Sequence, residues 1–235
     1  MKKLFVIVIA LMLLTSAAYA APLMDYSFGR ATFDFGVNYS PSQNMPTENQ
    51  TMANSGMSGG WNLDFGATAG LGNNFAVKYS QQNMSNASVT NNNETATLVA
   101  QVQQVNLMYD FMPSGAPFNV SAFIGAQYSN FGFAASGQPS LNATGLQSFN
   151  KWGGQIGVIA STYVADSVIV YGQAQYGLPY YQFGGGLAYA VTPNFDVNLS
   201  ANYVSSSLSS FVNLNGSQNA NIFSIPITLG VTMKI

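Results

Sequence analysis

The sequence predicts an all-β chain: a transmembrane, antiparallel, up-and-down β-barrel of about ten strands, with eight as the main alternative. Three observations predict it. Apolar and polar residues alternate with period 2 in ten separate segments. The connections between those segments alternate between short and long. Only 6% of residues are Asp, Glu, Lys or Arg, against about 25% in ordinary soluble domains, too few to clothe a water-facing exterior.

The first element is a leader. Met1-Lys2-Lys3 is a basic head, Leu4 to Leu14 is an unbroken apolar run, and the stretch closes on Ala18-Tyr19-Ala20. This pattern predicts a secretory signal peptide over 1–20, cut before Ala21, with 21–235 as the barrel domain. The apolar run is too short for a spanning helix, which needs about 20 residues. No later run reaches that length, so helices do not span here, whereas strands remain able to.

The ten alternating segments are 28–39, 60–71, 75–84, 97–111, 118–130, 150–163, 167–177, 181–191, 195–204 and 222–235. In the first, Phe33, Phe35, Val37 and Tyr39 oppose Asp34, Gly36 and Asn38. In the second, Trp61, Leu63, Phe65, Ala67, Ala69 and Leu71 oppose Asn62, Asp64, Gly66, Thr68 and Gly70. Gly72-Asn73-Asn74, Pro113-Ser114-Gly115, Ala165-Asp166 and Thr192-Pro193-Asn194 carry turn residues. Asn/Ser/Gln-rich stretches near 40–59, 85–96, 131–149 and 205–221 are expected as long loops, and Gly177-Leu178-Pro179-Tyr180 is a short link where a long one is due. Short turns at one end, long loops at the other and an even strand count are the layout of a bacterial outer-membrane barrel with periplasmic termini.

Alternation alone leaves open which face points outward. The scarcity of charge favours a lipid-facing apolar side, and so does a ring of aromatics near the long loops: Tyr39, Trp61, Tyr79, Tyr128, Trp152, Tyr176, Tyr181, Tyr203 and Phe223. A second set, Phe75, Phe111, Phe118, Tyr189 and Phe195, flanks the short turns. The lumen is then lined by Asn38, Asn62, Gln104, Asn106, Gln127, Gln155, Gln173, Gln175, Asn198 and Asn202.

The last stretch, Thr228-Leu229-Gly230-Val231-Thr232-Met233-Lys234-Ile235, resembles the C-terminal signal of small Gram-negative outer-membrane β-barrel proteins. It has a polar residue (Thr228), a glycine two later (Gly230), then hydrophobic residues three and five further on (Met233 and Ile235), with Ile235 in place of the commoner terminal Phe. The resemblance implies that the barrel-assembly machinery reads this strand, and that it closes the cylinder by pairing with 28–39. Closure is also what lipid demands, because an open strand edge has no water to bond.

The chemistry is bounded by what is missing. The chain has no Cys and no His, so the usual activated nucleophiles and thiolate metal sites are unavailable, and no enzyme, metal or cofactor is expected. Outside the leader four basic residues (Arg30, Lys78, Lys151, Lys234) face eight acidic ones, which argues against a nucleic-acid partner. Asp34 and Asp64 share the inward face of neighbouring strands. Structural neutralisation by Arg30, Lys78 and Lys234 is expected over a catalytic carboxylate pair, since unpaired ions in a low-dielectric site are costly. These five residues are expected as a charge cluster that plugs or narrows the lumen.

Two functions stay open. One is a structural or surface-interaction protein of the outer membrane, with outer-membrane lipid and the assembly machinery as partners and Asn/Ser-rich loops outside. The other is a narrow, porin-like passive channel for ions or small polar solutes.

Overall fold

The computed structural model describes residues 26–40, 60–91, 94–112, 116, 118–136, 147–178, 180–207 and 221–235. The leader 1–20 and the stretches 41–59 and 208–220, expected as loop, lie outside the described residues. Among the described residues no helix is long and apolar enough to cross a membrane, and every regular element is a strand.

The strands are β1 (Ala31–Ser40), β2 (Gly60–Gly72), β3 (Phe75–Asn91), β4 (Glu94–Asp110), β5 (Phe118–Ser136), β6 (Gln147–Ala165), β7 (Val168–Gly177), β8 (Tyr180–Thr192), β9 (Phe195–Ser207), β10 (Asn221–Ser224) and β11 (Ile227–Lys234). Each pairs antiparallel with its sequence neighbour from β1 to β9. Both β10 and β11 pair with β9, so they are two parts of one stave, interrupted at Ile225-Pro226, where proline has no N–H to give the ladder. The carbonyl of Pro226 still accepts from the Asn202 amide at 3.1 Å. The ring closes through β1 and β11, from Thr32 opposite Lys234 to Tyr39 opposite Ile227. Ala31 and Ile235 exchange both backbone hydrogen bonds, at 3.1 and 2.9 Å. Ten staves therefore close into a cylinder, with β10, the upper part of β3 and the upper part of β6 each paired on one side only among the described residues.

Burial is inverted relative to a soluble barrel. The buried residues of β1 are Thr32, Asp34, Gly36, Asn38 and Ser40, while Phe33, Phe35, Val37 and Tyr39 are turned outward. Large hydrophobics such as Trp61, Leu63, Ile124, Ile156, Leu187 and Leu229 are exposed, and Gln104, Asn106, Gln127, Gln155, Asn198 and Asn202 are buried. A surface of that kind is stable only against hydrocarbon, with the polar alternates kept inside.

The four central staves depart from expectation. β3 to β6 run 17 to 19 residues, well beyond the about 10 that a membrane crossing needs. Of the stretches near 85–96 and 131–149 expected as loop, residues 85–91, 94–96, 131–136 and 147–149 are therefore strand, and 137–146 lie outside the described residues. Their Asn, Ser and Thr residues carry no apolar alternation, because a strand that has left the lipid no longer needs an apolar side. The segment expected to start at 28 begins pairing only at Ala31, after a turn closed by the Arg30 amide on the Ser27 carbonyl, 3.2 Å, with Gly29 at φ 82. The Asn73-Asn74 hairpin has both residues left-handed, φ 52 and 66. This primed turn matches the twist of the strands it joins.

Candidate functional site

Among the described residues, buried polar side chains converge in the lumen, where three tiers can be distinguished. At the short-turn end, residues just before β1 fold under the barrel. The Tyr26 carbonyl accepts from the Gly72 amide at 2.9 Å, and its phenol donates to Ser121 Oγ on β5 at 2.6 Å. Ser121 donates on to Asn119, which donates to Asp110. Ile169 and Ala188 form one buried apolar group inside the lumen, and Ala76, Met108, Phe123 and Ile159 cluster with Tyr26 as another. Burial beneath this group, more than the charge on Asp110, pushes the Tyr26 phenol up to about 12 against the opposing Ser121 bond. Room for the Phe123 ring comes from Gly157, whose added Cβ would sit 2.2 Å from that ring.

Above this floor lies a charged tier. Asp34, wholly buried, accepts from Thr232 Oγ1 at 3.0 Å, and the ammonium of buried Lys78 lies within its Coulombic reach. Thr232 is opposite Asp34 on one side and Asp196 on the other. Asp196 pairs with Lys234 Nζ at 2.6 Å. Asp34 can lean across β2 because Gly66 stands opposite it; a Cβ there would come within 3.1 Å of Oδ2.

The third tier is held by amides. Asp64 accepts from Asn38 Nδ2 at 2.8 Å and from the Asn83 backbone N–H at 2.9 Å. The ladder register slips between Asn83 and Ser85, and such a bulge releases a backbone donor from the ladder. Asn62 donates to Asn38 at 3.2 Å. On the far side Gln175 donates to Gln155 at 2.7 Å, and Gln155 bonds Asn106. Tyr180, fully buried, crosses this level. It begins β8, and its hydroxyl bonds both Gln182 on its own strand and Gln82 on β3. In the closed ring of ten staves β3 and β8 are diametrically opposite, so Tyr180 and Gln82 together span the lumen.

The five charged residues expected as one cluster are thus divided. Asp34 and Lys78 face each other, and Lys234 is committed to Asp196, which the sequence analysis did not single out. Asp64 takes neutral donors instead of a cation. Arg30 is exposed at the lower mouth, its backbone carbonyl accepting from the Gly70 amide at 2.8 Å. Position explains the split. Lys78 stands opposite Thr68, two residue pairs from Asp34's row and on the same face, whereas Arg30 precedes the first rung and is reached by water. Tyr26 and Tyr180 were missed as well. Tyr180 shares the parity of Gln182, and Asp196 that of Asn198, so parity would have placed both inside. Tyr26 lies before any alternating pattern.

Outside, Tyr39 packs on Trp61 with ring centroids 4.9 Å apart, and Tyr128 on Trp152 at 5.0 Å. Tyr181 meets Tyr203 at 6.3 Å, and Tyr176 stands opposite Tyr181. Tyr79 donates to Gln81 at 3.4 Å. Phe223 falls on β10 opposite Ser205, with its side chain outside the described residues. In the last stave Thr228 and Gly230 are buried while Met233 and Ile235 are exposed.

Among solved structures, this architecture is similar to the outer-membrane protease OmpT of Escherichia coli, with TM-score 0.51 and 11% identity over 92% of this chain and all of that one. The fold is that of the small Gram-negative outer-membrane β-barrels. Neisserial surface protein A (TM-score 0.42, 15% identity, 88% of this chain and 97% of that one) is also similar, as is Ail of Yersinia pestis (TM-score 0.41, 12% identity, 88% and 99%). No family model matches the sequence, and no curated protein does either. With its apolar exterior and closed ladder, this outer-membrane barrel belongs in the bacterial outer membrane, in contact with lipid.

Proposed function

We propose that this outer-membrane barrel is a structural or surface-interaction protein whose lumen is closed by its own side chains, and that it carries no enzymatic activity. The observation that carries the reading is the pair of obstructions in series: Tyr180 bridged to Gln82 across the upper lumen, and the apolar floor around Tyr26. An ion would have to shed its hydration to pass the floor, at a cost that grows steeply in a low-dielectric constriction. Likeness to a protease at 11% identity extends to the fold alone, and the chain has neither the His nor the Cys that most activated nucleophiles require. In this reading residues 1–20 are the cleaved leader and 21–235 the barrel domain. Thr228, Gly230, Met233 and Ile235 present the last strand to the assembly machinery, the aromatic ring anchors the barrel in the interface, and the loops meet whatever the cell surface meets.

The narrow-channel reading is favoured by one observation. Gln127, Ser129 and Ser161 are buried in the lumen with side-chain polar atoms that have no hydrogen-bond partner among the described residues, which suits a wet interior. Planar-bilayer conductance decides between the two. The folded wild type should be silent, and Tyr180→Ala combined with Tyr26→Ala should give discrete steps. Steps of equal size from wild type and double variant would refute the closed-lumen reading and make the channel primary.

A further inference from the structure

The floor of the lumen is completed from outside the strands. Four members of its apolar cluster, Ala76, Met108, Phe123 and Ile159, stand on β3, β4, β5 and β6, whereas the fifth, Tyr26, belongs to the segment before β1. The Gly72 amide on the Tyr26 carbonyl, 2.9 Å, ties that segment to the β2–β3 turn. Ser27, Phe28, Gly29 and Arg30, which lead from Tyr26 to the first strand, are all exposed. Gly29, at φ 82, has nothing within 4 Å of the place a Cβ would take, so this arm has a joint at which the backbone can change course at little cost. Tyr26 itself is only 7% exposed. Its withdrawal would uncover an apolar pocket on β3 to β6.

The polar end of that pocket has a direction. The Tyr26 hydroxyl donates to Ser121 Oγ at 2.6 Å, Ser121 to Asn119 Oδ1 at 2.9 Å, and Asn119 Nδ2 to Asp110 Oδ2 at 2.6 Å, while the Met112 amide donates to Asp110 Oδ1 at 3.0 Å. Every donor points toward the carboxylate. The Ser121 proton is committed to Asn119, so Ser121 can only accept from whatever fills the pocket. Burial, and after it the Asp110 charge, push the Tyr26 phenol up to about 12, and the same causes disfavour any anion placed there. Phe123 and the polarisable thioether of Met108 favour an aromatic occupant over an aliphatic one.

We propose that this pocket binds a small neutral phenol arriving from the periplasm, and that Tyr26 is a hinged stopper which such a solute displaces. The inference rests on the reading of the Tyr26 floor as a seal of the lumen, and it gives that seal a release. A tethered ring competes at an effective concentration of about millimolar, so the solute must be abundant to displace it.

The chain has no cysteine, so Phe28→Cys, at an exposed position beside the stopper, carries a single nitroxide. This full-length variant, folded into phosphatidylcholine vesicles and verified by heat-modifiable gel mobility, is titrated with p-cresol and with toluene, which lacks the hydroxyl. Saturable conversion of the nitroxide from restricted to mobile is expected, p-cresol acting at about tenfold lower free concentration than toluene, the worth of one ordinary hydrogen bond. Adding Ser121→Ala should erase that advantage. With Tyr26→Ala the nitroxide should be mobile from the start, and p-cresol should raise the urea midpoint of that barrel by filling the vacated pocket. No mobilisation, an equal response to the two solutes, or an advantage of p-cresol that survives Ser121→Ala would each overturn the proposal. None of these readouts uses conductance, so a conducting wild type would refute the seal while the preference between solutes still decides the pocket.

Discussion

Replacing Lys78 by Met tests the charged tier most directly. Asp34 is wholly buried, one carboxylate oxygen is held by the Thr232 hydroxyl, and Oδ2 has no hydrogen-bond partner among the described residues. The ammonium of Lys78 is therefore the main compensation for its charge, while Asp196 adds repulsion. Methionine preserves the length of the side chain and removes the charge, leaving a carboxylate in a site that water reaches poorly. Breaking one side of a buried pair costs about 3–5 kcal/mol. Removing both charges, with Asp34→Asn and Lys78→Met together, should return the barrel to within about 1 kcal/mol of wild type, because neither partner is then stranded. The assay is urea unfolding in lipid vesicles followed by heat-modifiable mobility, completed as a double-mutant cycle. A single variant costing less than about 1 kcal/mol, or a double variant as unstable as the single, would refute the pairing.

The floor and its packing give two further tests. The Tyr26 phenol is pushed from its ordinary 10.0 to about 12, so its contribution is complete below pH 10 and is lost as pH rises through 12, amounting to about 3 kcal/mol in full; Tyr26→Phe should remove that alkaline step in an unfolding-versus-pH series, and a step that persists would put its origin elsewhere. Gly157→Ala sets a methyl 2.2 Å from the Phe123 ring and 2.7 Å from the Ala174 carbonyl, an overpacking worth about 1–3 kcal/mol, whereas adding Phe123→Leu should recover part of the loss; a stable Gly157→Ala barrel would show that the floor is looser than described.

Much of the architecture was legible because lipid imposes a strict rule. Each residue of a spanning strand must be apolar outside or tolerable inside, so Phe33, Phe35, Val37 and Tyr39 declare their face without help from any neighbour. That rule stops at the headgroups. Beyond them the backbone of β3 to β6 continues to pair, and the Asn/Ser/Thr composition there looks like loop. The lumen was legible as a face and illegible as a set of contacts. Parity says that Asp64 and Lys78 point inward, but only the stagger of the ladder decides that Lys78 meets Asp34, while Asp64 depends on a bulge at Asn83 that no local pattern announces. Tyr26 had no signal at all, because a residue that plugs a barrel from outside its strands obeys no alternation.

The strict alternation of faces has a consequence for the journey as well as the destination. A protein of the outer membrane must first be threaded through the inner one, where a long apolar run would halt it as a helix. Through most of the staves a lipid-seeking residue is followed by a polar or small one, and mean hydropathy over the chain is only +0.15. The unpaired chain thus conceals its affinity for membranes. Only when the strands align do Trp61, Leu63 and Phe65 come together on one side, so that the surface which anchors the finished cylinder does not exist until the cylinder does.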